Sequence, residues 1–381
     1  MQIQLKETPE QIELVKAMGS KNPTVAREAM EAVAGFVTPV IKEVLLTAGS
    51  AARIFRDIAF DEDSDPSIPL DLFYSENTGY VTVWSQHMAG GMPTSQVEGI
   101  KEMKFGTFRL DSAVSWNKKY ARKNRLDVIS RSIERMVQGM LIKQERNAWA
   151  TVLKALAEAS TVTVNGGTLR HGVGASAVGV FSVGDLNALI TRVKRMNESF
   201  SGNTAVQPYS NGVTDLFVSP EVKGQIRAFA FQPLGGYATP VTASNAQTLV
   251  SALPDKVRDS VWSSAGMQSI FGVNINELIE FGAGQKYNTL FSNFVATSTF
   301  PGPTGGYWEG VRANPEIIVG VDNTRGALLR PVERGENGTL SVEVDGQWDG
   351  FGSRVEKQGY YMHLTEGRLV IDARALAGIA L

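Results

Sequence analysis

Residues 124–160 constrain this chain more than any other stretch. Apolar residues recur there at intervals of three and four: Leu126, Ile129, Ile133, Met136, Val137, Met140 and Leu141, then Ala148, Val152 and Leu156. That spacing describes one face of an α-helix. No proline interrupts it, and Arg131, Glu134, Lys143 and Glu145 supply a solvent side. The pattern predicts one helix of roughly 35 residues, about 50 Å long at about 1.5 Å per residue. Globular helices average about 11–12 residues. A helix this long needs an extended surface to lie on, and no other stretch reads as a helix of equal length. Long extended stretches surround it instead, which points to a subunit shaped for neighbours rather than around a pocket.

The chain has 381 residues, enough for two or three domains and a sizeable core. Lys plus Arg number 37 and Asp plus Glu 39, a net charge of -2. This balance argues against general coating of nucleic acid, which takes many phosphate-neutralising cations, and leaves room for contact through a local patch. There is no cysteine, so disulfides, thiolate nucleophiles and Cys-ligated metals are excluded and a reducing compartment is expected. The N-terminus is polar and no run of 18 apolar residues exists, so neither a signal peptide nor a membrane span is expected.

Residues 1–60 read as short helices, over residues 11–18, 25–36 and 39–47, broken at Gly19, Gly35 and Gly49. Short helices need a surface to dock on. The reading is an N-terminal arm, with a small helical subdomain packed on its own chain as the alternative. Asp61, Glu62, Asp63 and Asp65 then form an acidic run, read as a solvated bend. Over residues 73–120, Tyr80 to Trp84 and Phe105 to Trp116 read as strands on either side of a Gly90-Gly91-Met92-Pro93 tip. Two such strands bury little alone. Val83, Trp84, Phe105 and Phe108 are therefore the candidates for contact with another subunit.

Beyond the long helix, Ser182 with Asp185 resembles a capping box and opens a helix through Leu186, Leu189, Ile190, Val193 and Met196. Leu216-Phe217-Val218 reads as a buried strand running into a helix at Ser219-Pro220-Glu221. Residues 270–278 read as strand-rich within a glycine- and proline-rich stretch. Residues 317–321, 340–344, 360–362 and 369–371 read as further strands, with Glu366-Gly367 as a turn.

Chemistry is sparse. There is no phosphate-binding glycine loop, no His-Glu-x-x-His and no nucleophile elbow. His87, His171 and His363 are read as solvated or locally hydrogen-bonded, and Asp322, Glu333, Glu336 and Asp345 as solvated carboxylates. No catalytic residue, cofactor or metal is expected. Lys118, Lys119, Arg122, Lys123 and Arg125 form a basic cluster ahead of the long helix. It is either a solvated junction or a contact for an acidic neighbouring surface or packaged nucleic acid.

The order of these parts resembles the major capsid proteins of tailed bacteriophages, which share the fold named after phage HK97. Arm, extended hairpin, long spine helix and an axial domain inserted into a peripheral one follow in that order. Leu216-Phe217-Val218-Ser219-Pro220 and the tail Gly367-Arg368-Leu369-Val370-Ile371-Asp372-Ala373-Arg374-Ala375 carry the likeness locally. The resemblance implies an α+β, HK97-like fold. Its parts would be the arm at 1–60, the hairpin at 61–118, the spine helix and start of the peripheral domain at 119–180, the axial domain at 181–310 and the peripheral return at 311–381. It implies a non-enzymatic subunit that assembles into pentamers and hexamers of an icosahedral shell around double-stranded DNA. Implied partners are copies of itself, a separate scaffolding protein, a portal and a decoration protein, with DNA held by containment and no membrane. The implied location is the virion capsid, assembled in the host bacterial cytoplasm. Intersubunit contacts would fall on Val83, Trp84, Phe105, Phe108, Lys118, Lys119 and Arg122. An encapsulin-like nanocompartment around cargo enzymes is the alternative reading.

Overall fold

The computed structural model describes residues 9–60, 67–69, 102–123, 125–159, 161–164, 167–175, 179–201, 212–228, 269–297, 316–333, 342–347 and 357–381. In chain order, α1 (Pro9–Met18) and α2 (Pro23–Thr47) lead to β1 (Arg56–Phe60), β2 (Ser67–Pro69), β3 (Glu102–Lys104) and β4 (Phe108–Asn117). Short α3 (Lys118–Arg122) precedes α4 (Leu126–Glu158), followed by β5 (Val162–Val164), β6 (Gly167–Leu169) and β7 (Gly172–Gly174). Then come α5 (Val183–Ser201), β8 (Asp215–Val218), α6 (Pro220–Ala228), β9 (Ser269–Ile270), β10 (Val273–Glu277) and α7 (Lys286–Thr297). The chain closes with β11 (Ile317–Val321), β12 (Leu328–Glu333), β13 (Val342–Gln347), β14 (Lys357–Glu366), β15 (Leu369–Val370) and β16 (Leu376–Ala380). The fold is α+β, with two six-stranded sheets in two compact units. Helix α4 is continuous over 33 residues, close to the expected length.

The first unit takes the described parts of Met1–Ile68, Lys104–Ala148 and Leu329–Leu369. Its sheet runs β1-β12-β14-β13, with β15 beside β12 and β4 beside β14. Strands β4 and β14 pair antiparallel from Phe108↔Glu366 to Asn117↔Lys357. Alternation puts Leu110 and Trp116 of β4, and Tyr360, Met362 and Leu364 of β14, into one apolar cluster. Val15 and Met18 of α1, Met30, Val33, Val37, Ile41 and Leu45 of α2, and Ile129, Ile133 and Met140 of α4 complete it.

Three expectations change here. Residues 23–47 form one helix, capped by the Asn22 side chain accepting from Thr24 N–H, rather than two pieces broken at Gly35. An internal proline costs about 3 kcal/mol through its missing N–H and ring clash. Burial of Val33, Ala34, Val37, Ile41 and Leu45 on both sides of Pro39 offsets that cost. Residues 9–60 also belong to the first unit, with the buried faces of α1 and α2 in its core, so their described part is a layer of their own unit. Likewise β4, expected as the returning arm of a free hairpin, is a fully paired strand of the sheet.

The second unit takes the described parts of Pro69–Met103, Trp149–Leu328 and Val370–Leu381. Its sheet runs β7-β16-β11-β8-β10-β9. Ser182 and Asp185 form the expected reciprocal cap of α5: Ser182 N–H donates to Asp185 Oδ2 at 2.9 Å and Asp185 N–H to Ser182 Oγ at 3.2 Å. Leu186, Leu189, Val193 and Met196 on α5 then pack with Leu216, Val218, Ile318 and Ile379 of the sheet. Strand β8 is buried at all four positions, and Ser219 Oγ caps α6 by accepting from Val222 N–H at 3.1 Å. Trp149 of α4 meets Phe217, Phe281 and Tyr287 with ring centroids 4.7, 5.3 and 6.1 Å away. The expected boundary at residue 311 is displaced: β11 and β16, placed in the peripheral return by sequence, are inner strands of the second unit's sheet. A wholly apolar run such as Ile317–Val321 signals burial on both faces, not which sheet provides it.

Candidate intersubunit surface

Strand β2 pairs with β3 in a two-stranded sheet, so the chain leaves the described fold after Pro69 and returns at Glu102 at one place. Val83 and Trp84, the foremost contact candidates, lie in the stretch between and outside the described residues. Phe105 follows β3. It is half-buried, with its ring edge-on to Phe60 at 6.5 Å. Phe108 starts β4, is half-buried and packs against the core of its own unit. The cause is strand alternation: Phe108 shares a face with Leu110 and Trp116, and it is Arg109, Asp111, Ala113, Ser115 and Asn117 that point out.

Those outward residues carry a polar network. Arg109 Nε donates to Asp111 Oδ1 at 2.8 Å and Arg109 Nη2 to Tyr361 Oη at 2.7 Å, while Tyr361 Oη donates to Asp111. His363 stands opposite Asp111 in the ladder and stacks on Tyr361 at 5.7 Å. Hydrogen bonds from Tyr361 and Arg109 hold the Asp111 carboxyl below its ordinary range.

The basic cluster folds at the end of β4. Asn117 accepts from Lys119 N–H at 2.9 Å and so starts α3. Lys119 is exposed and Lys118 half-buried. Arg122 is exposed, yet its Nε donates to the Gly19 carbonyl at 3.0 Å, closing the end of α1. Large apolar side chains are also exposed elsewhere: Phe36 (64%) and Val40 on α2, and Phe271 and Ile279 (77%) on either side of β10. Phe271 holds a positive φ of 51° in the β9–β10 turn.

Each unit holds buried ion pairs. In the first, Arg330, 2% exposed, grips Asp57 with Nε and Nη2 at 2.5 and 2.6 Å and also reaches the Leu45 and Leu46 carbonyls at the end of α2. Glu366 accepts from Arg368 Nη2 at 3.0 Å and Gln144 Nε2 at 3.2 Å, and burial pushes its carboxyl up. In the second, Arg325 and Arg374 share Asp372 at 2.9 and 3.0 Å. Asp322, read from sequence as solvated, is 1% exposed and accepts from the Thr324 N–H at 3.1 Å beside Arg325. The Asp-Ala-Arg tail is thus a structural clasp. Glycine at 326 in the left-handed region closes the turn after Asn323–Arg325, a signal that could have marked Asp322 as a cap.

His171 is buried with Nδ1 2.7 Å from the Leu376 carbonyl, and His87 lies outside the described residues. Among the described residues, no group of three His, Asp or Glu is placed to hold a metal ion, and no helix is long and apolar enough to cross a membrane.

No protein-family model and no curated protein matches the chain. Among solved structures it is similar to the capsid of a native GTA particle, at 12% identity over 88% of this chain and 91% of that one, with a TM-score of 0.48. It is also similar to the capsid of the cyanophage P-SCSP1u, at 11% identity over 86% of each chain and a TM-score of 0.46. The holo-SrpI encapsulin complex from Synechococcus elongatus is similar at 11% identity over 74% of this chain and 75% of that one, with a TM-score of 0.37.

Proposed function

We propose that the chain is a phage major capsid protein with an HK97-like fold, assembling through its hairpin into pentamers and hexamers of a shell around double-stranded DNA. The pairing of β2 with β3 carries this reading. The sequence between these two strands holds Val81, Val83, Trp84, Met88 and Met92. On another copy, each large apolar side chain that becomes covered contributes roughly 1.5–3 kcal/mol. The 33-residue α4 supplies a stiff element that holds neighbouring copies in a fixed geometry.

The test is assembly. Light scattering and negative-stain imaging of the expressed chain, alone and with a co-expressed scaffolding protein, should show rings or shells. The double variant Val83→Asp/Trp84→Asp should keep its circular dichroism and lose assembly. Native protein that stays monomeric at high concentration in both settings overturns the proposal. Nucleic acid inside purified shells separates a virion from a compartment loaded with enzymes.

A further inference from the structure

We propose that the junction of α1 and α3 is a phosphate-backbone contact for duplex nucleic acid. The fold brings together two segments about a hundred residues apart. Met18 at the end of α1 and Ala121 in α3 are both fully buried in one cluster. Gly19 passes so close to Arg122 that a Cβ there would lie 2.8 Å from the Arg122 nitrogen. Only glycine permits this approach, and the Arg122 bond to the Gly19 carbonyl fixes it.

The charge consequence is specific. Residues 16–21 carry two cations and residues 118–125 carry five, with no carboxylate in either segment. Lys16, Lys21, Lys119, Lys123 and Arg125 are exposed. The nearest carboxylates along the chain are Glu13 and Asp127 at the margins. On a chain with net charge -2 this is a concentrated positive patch. Its cations come from both segments and are mainly lysines, compact charges that suit a row of phosphates better than one forked carboxylate. Tyr120, 41% exposed, sits among them. The patch adds a nucleic-acid contact to the shell reading, but it stands on charge placement rather than on assembly.

Fluorescence anisotropy of a labelled 20-base-pair duplex with the full-length chain tests it. If the five exposed cations each meet a phosphate, affinity falls with a log–log salt slope of about -4.5, roughly 500-fold between 50 and 200 mM salt. Lys119→Ala/Lys123→Ala should lower the slope by about 2, and Lys16→Ala/Lys21→Ala by a similar amount, because one site draws on both segments. No binding at 50 mM salt overturns the proposal, as does an unchanged slope in either folded variant. Binding of a peptide spanning residues 58–68, with its acidic run, in preference to the duplex also overturns it and assigns the patch to a protein partner. Light scattering on the same samples reads assembly separately: shells without duplex binding remove the patch and keep the shell, and binding without assembly does the reverse.

Discussion

Gly359→Ala should cost far more than its single methyl group suggests. Gly359 lies in β14 opposite Ser115 of β4. A Cβ built there would sit 2.1 Å from the Val114 carbonyl oxygen and 2.8 Å from the Ser115 Cα. Both are backbone atoms, so no rotamer change relieves the contact, and β4 must move by about an ångström. Overpacking of this kind costs about 1–3 kcal/mol. The same displacement loosens the pairings Gln358↔Trp116 and Lys357↔Asn117 beyond it. Losing two ladder hydrogen bonds adds about 1 kcal/mol each. The total is about 3–5 kcal/mol, read from urea titration by far-ultraviolet circular dichroism. Amide hydrogen exchange should locate the loss at the Ser115–Asn117 end, where Trp116 stacks on Tyr360 at 5.3 Å and Asn117 caps α3. Gly106→Ala is the control. Nothing lies within 4 Å of a Cβ at Gly106, and neither glycine holds a positive φ, so space alone separates the two. If both variants lose the same stability, the close approach of β4 and β14 is not what Gly359 provides and the reasoning fails.

Asp57→Ala should cost about 2–4 kcal/mol in the same titration, because it strips the countercharge from a buried Arg330, while Glu31→Ala, which breaks the exposed pair with Arg27, should cost under about 0.5 kcal/mol. Equal costs would refute the distinction between the two pairs. Burial, with a smaller contribution from Glu221, raises the Glu316 carboxyl despite the bond from Ser219. Its folded state therefore holds the proton to higher pH than the unfolded chain, and ionisation costs stability as pH rises out of the ordinary carboxylate range. Glu316→Gln should raise the melting temperature at about pH 8 and lose that advantage by about pH 4; a gain that does not vary with pH would sink the assignment.

Periodicity and caps made much of the fold legible. The three-four spacing from Ile129 to Leu156 located α4, and Ser182 with Asp185 located the start of α5. What stayed hidden depends on contacts between distant segments. Pro331 discourages a strand reading, yet it sits in β12 opposite Ile58 of β1, and its carbonyl accepts from Gly367 N–H at 2.8 Å. Helix α7 lay unread in a glycine- and serine-rich stretch because it is short and its Tyr287 packs against aromatics from elsewhere, Trp149 and Phe281, rather than adding to a long stripe. At the candidate surface, the basic run was visible as residues 118–125, but its meeting with Lys16 and Lys21 turns on the room left by Gly19. Phe108 shares the core-facing side of β4; sequence alternation gives a strand its two faces without saying which one a sheet will cover.

That last ambiguity explains the placement of buried charge. Strand β1 is exposed or half-buried along its length, so apolar alternation sets its register only weakly against β12. Asp57 and Arg330 are direct partners in that ladder though 273 residues apart. A slip of one residue would bring Arg56 or Ile58 opposite a guanidinium that is 2% exposed, leaving it buried without a carboxylate. The penalty for such an error, several kcal/mol, exceeds anything the correct pair adds over a well-packed apolar one. Arg325, Asp372 and Arg374 stand in the same relation to the tail, holding the turn before β16 to the loop after β11. Both units are closed by strands from far along the chain, a topology in which wrong pairings compete with right ones during folding. Buried ion pairs at these closures favour one register over its neighbours.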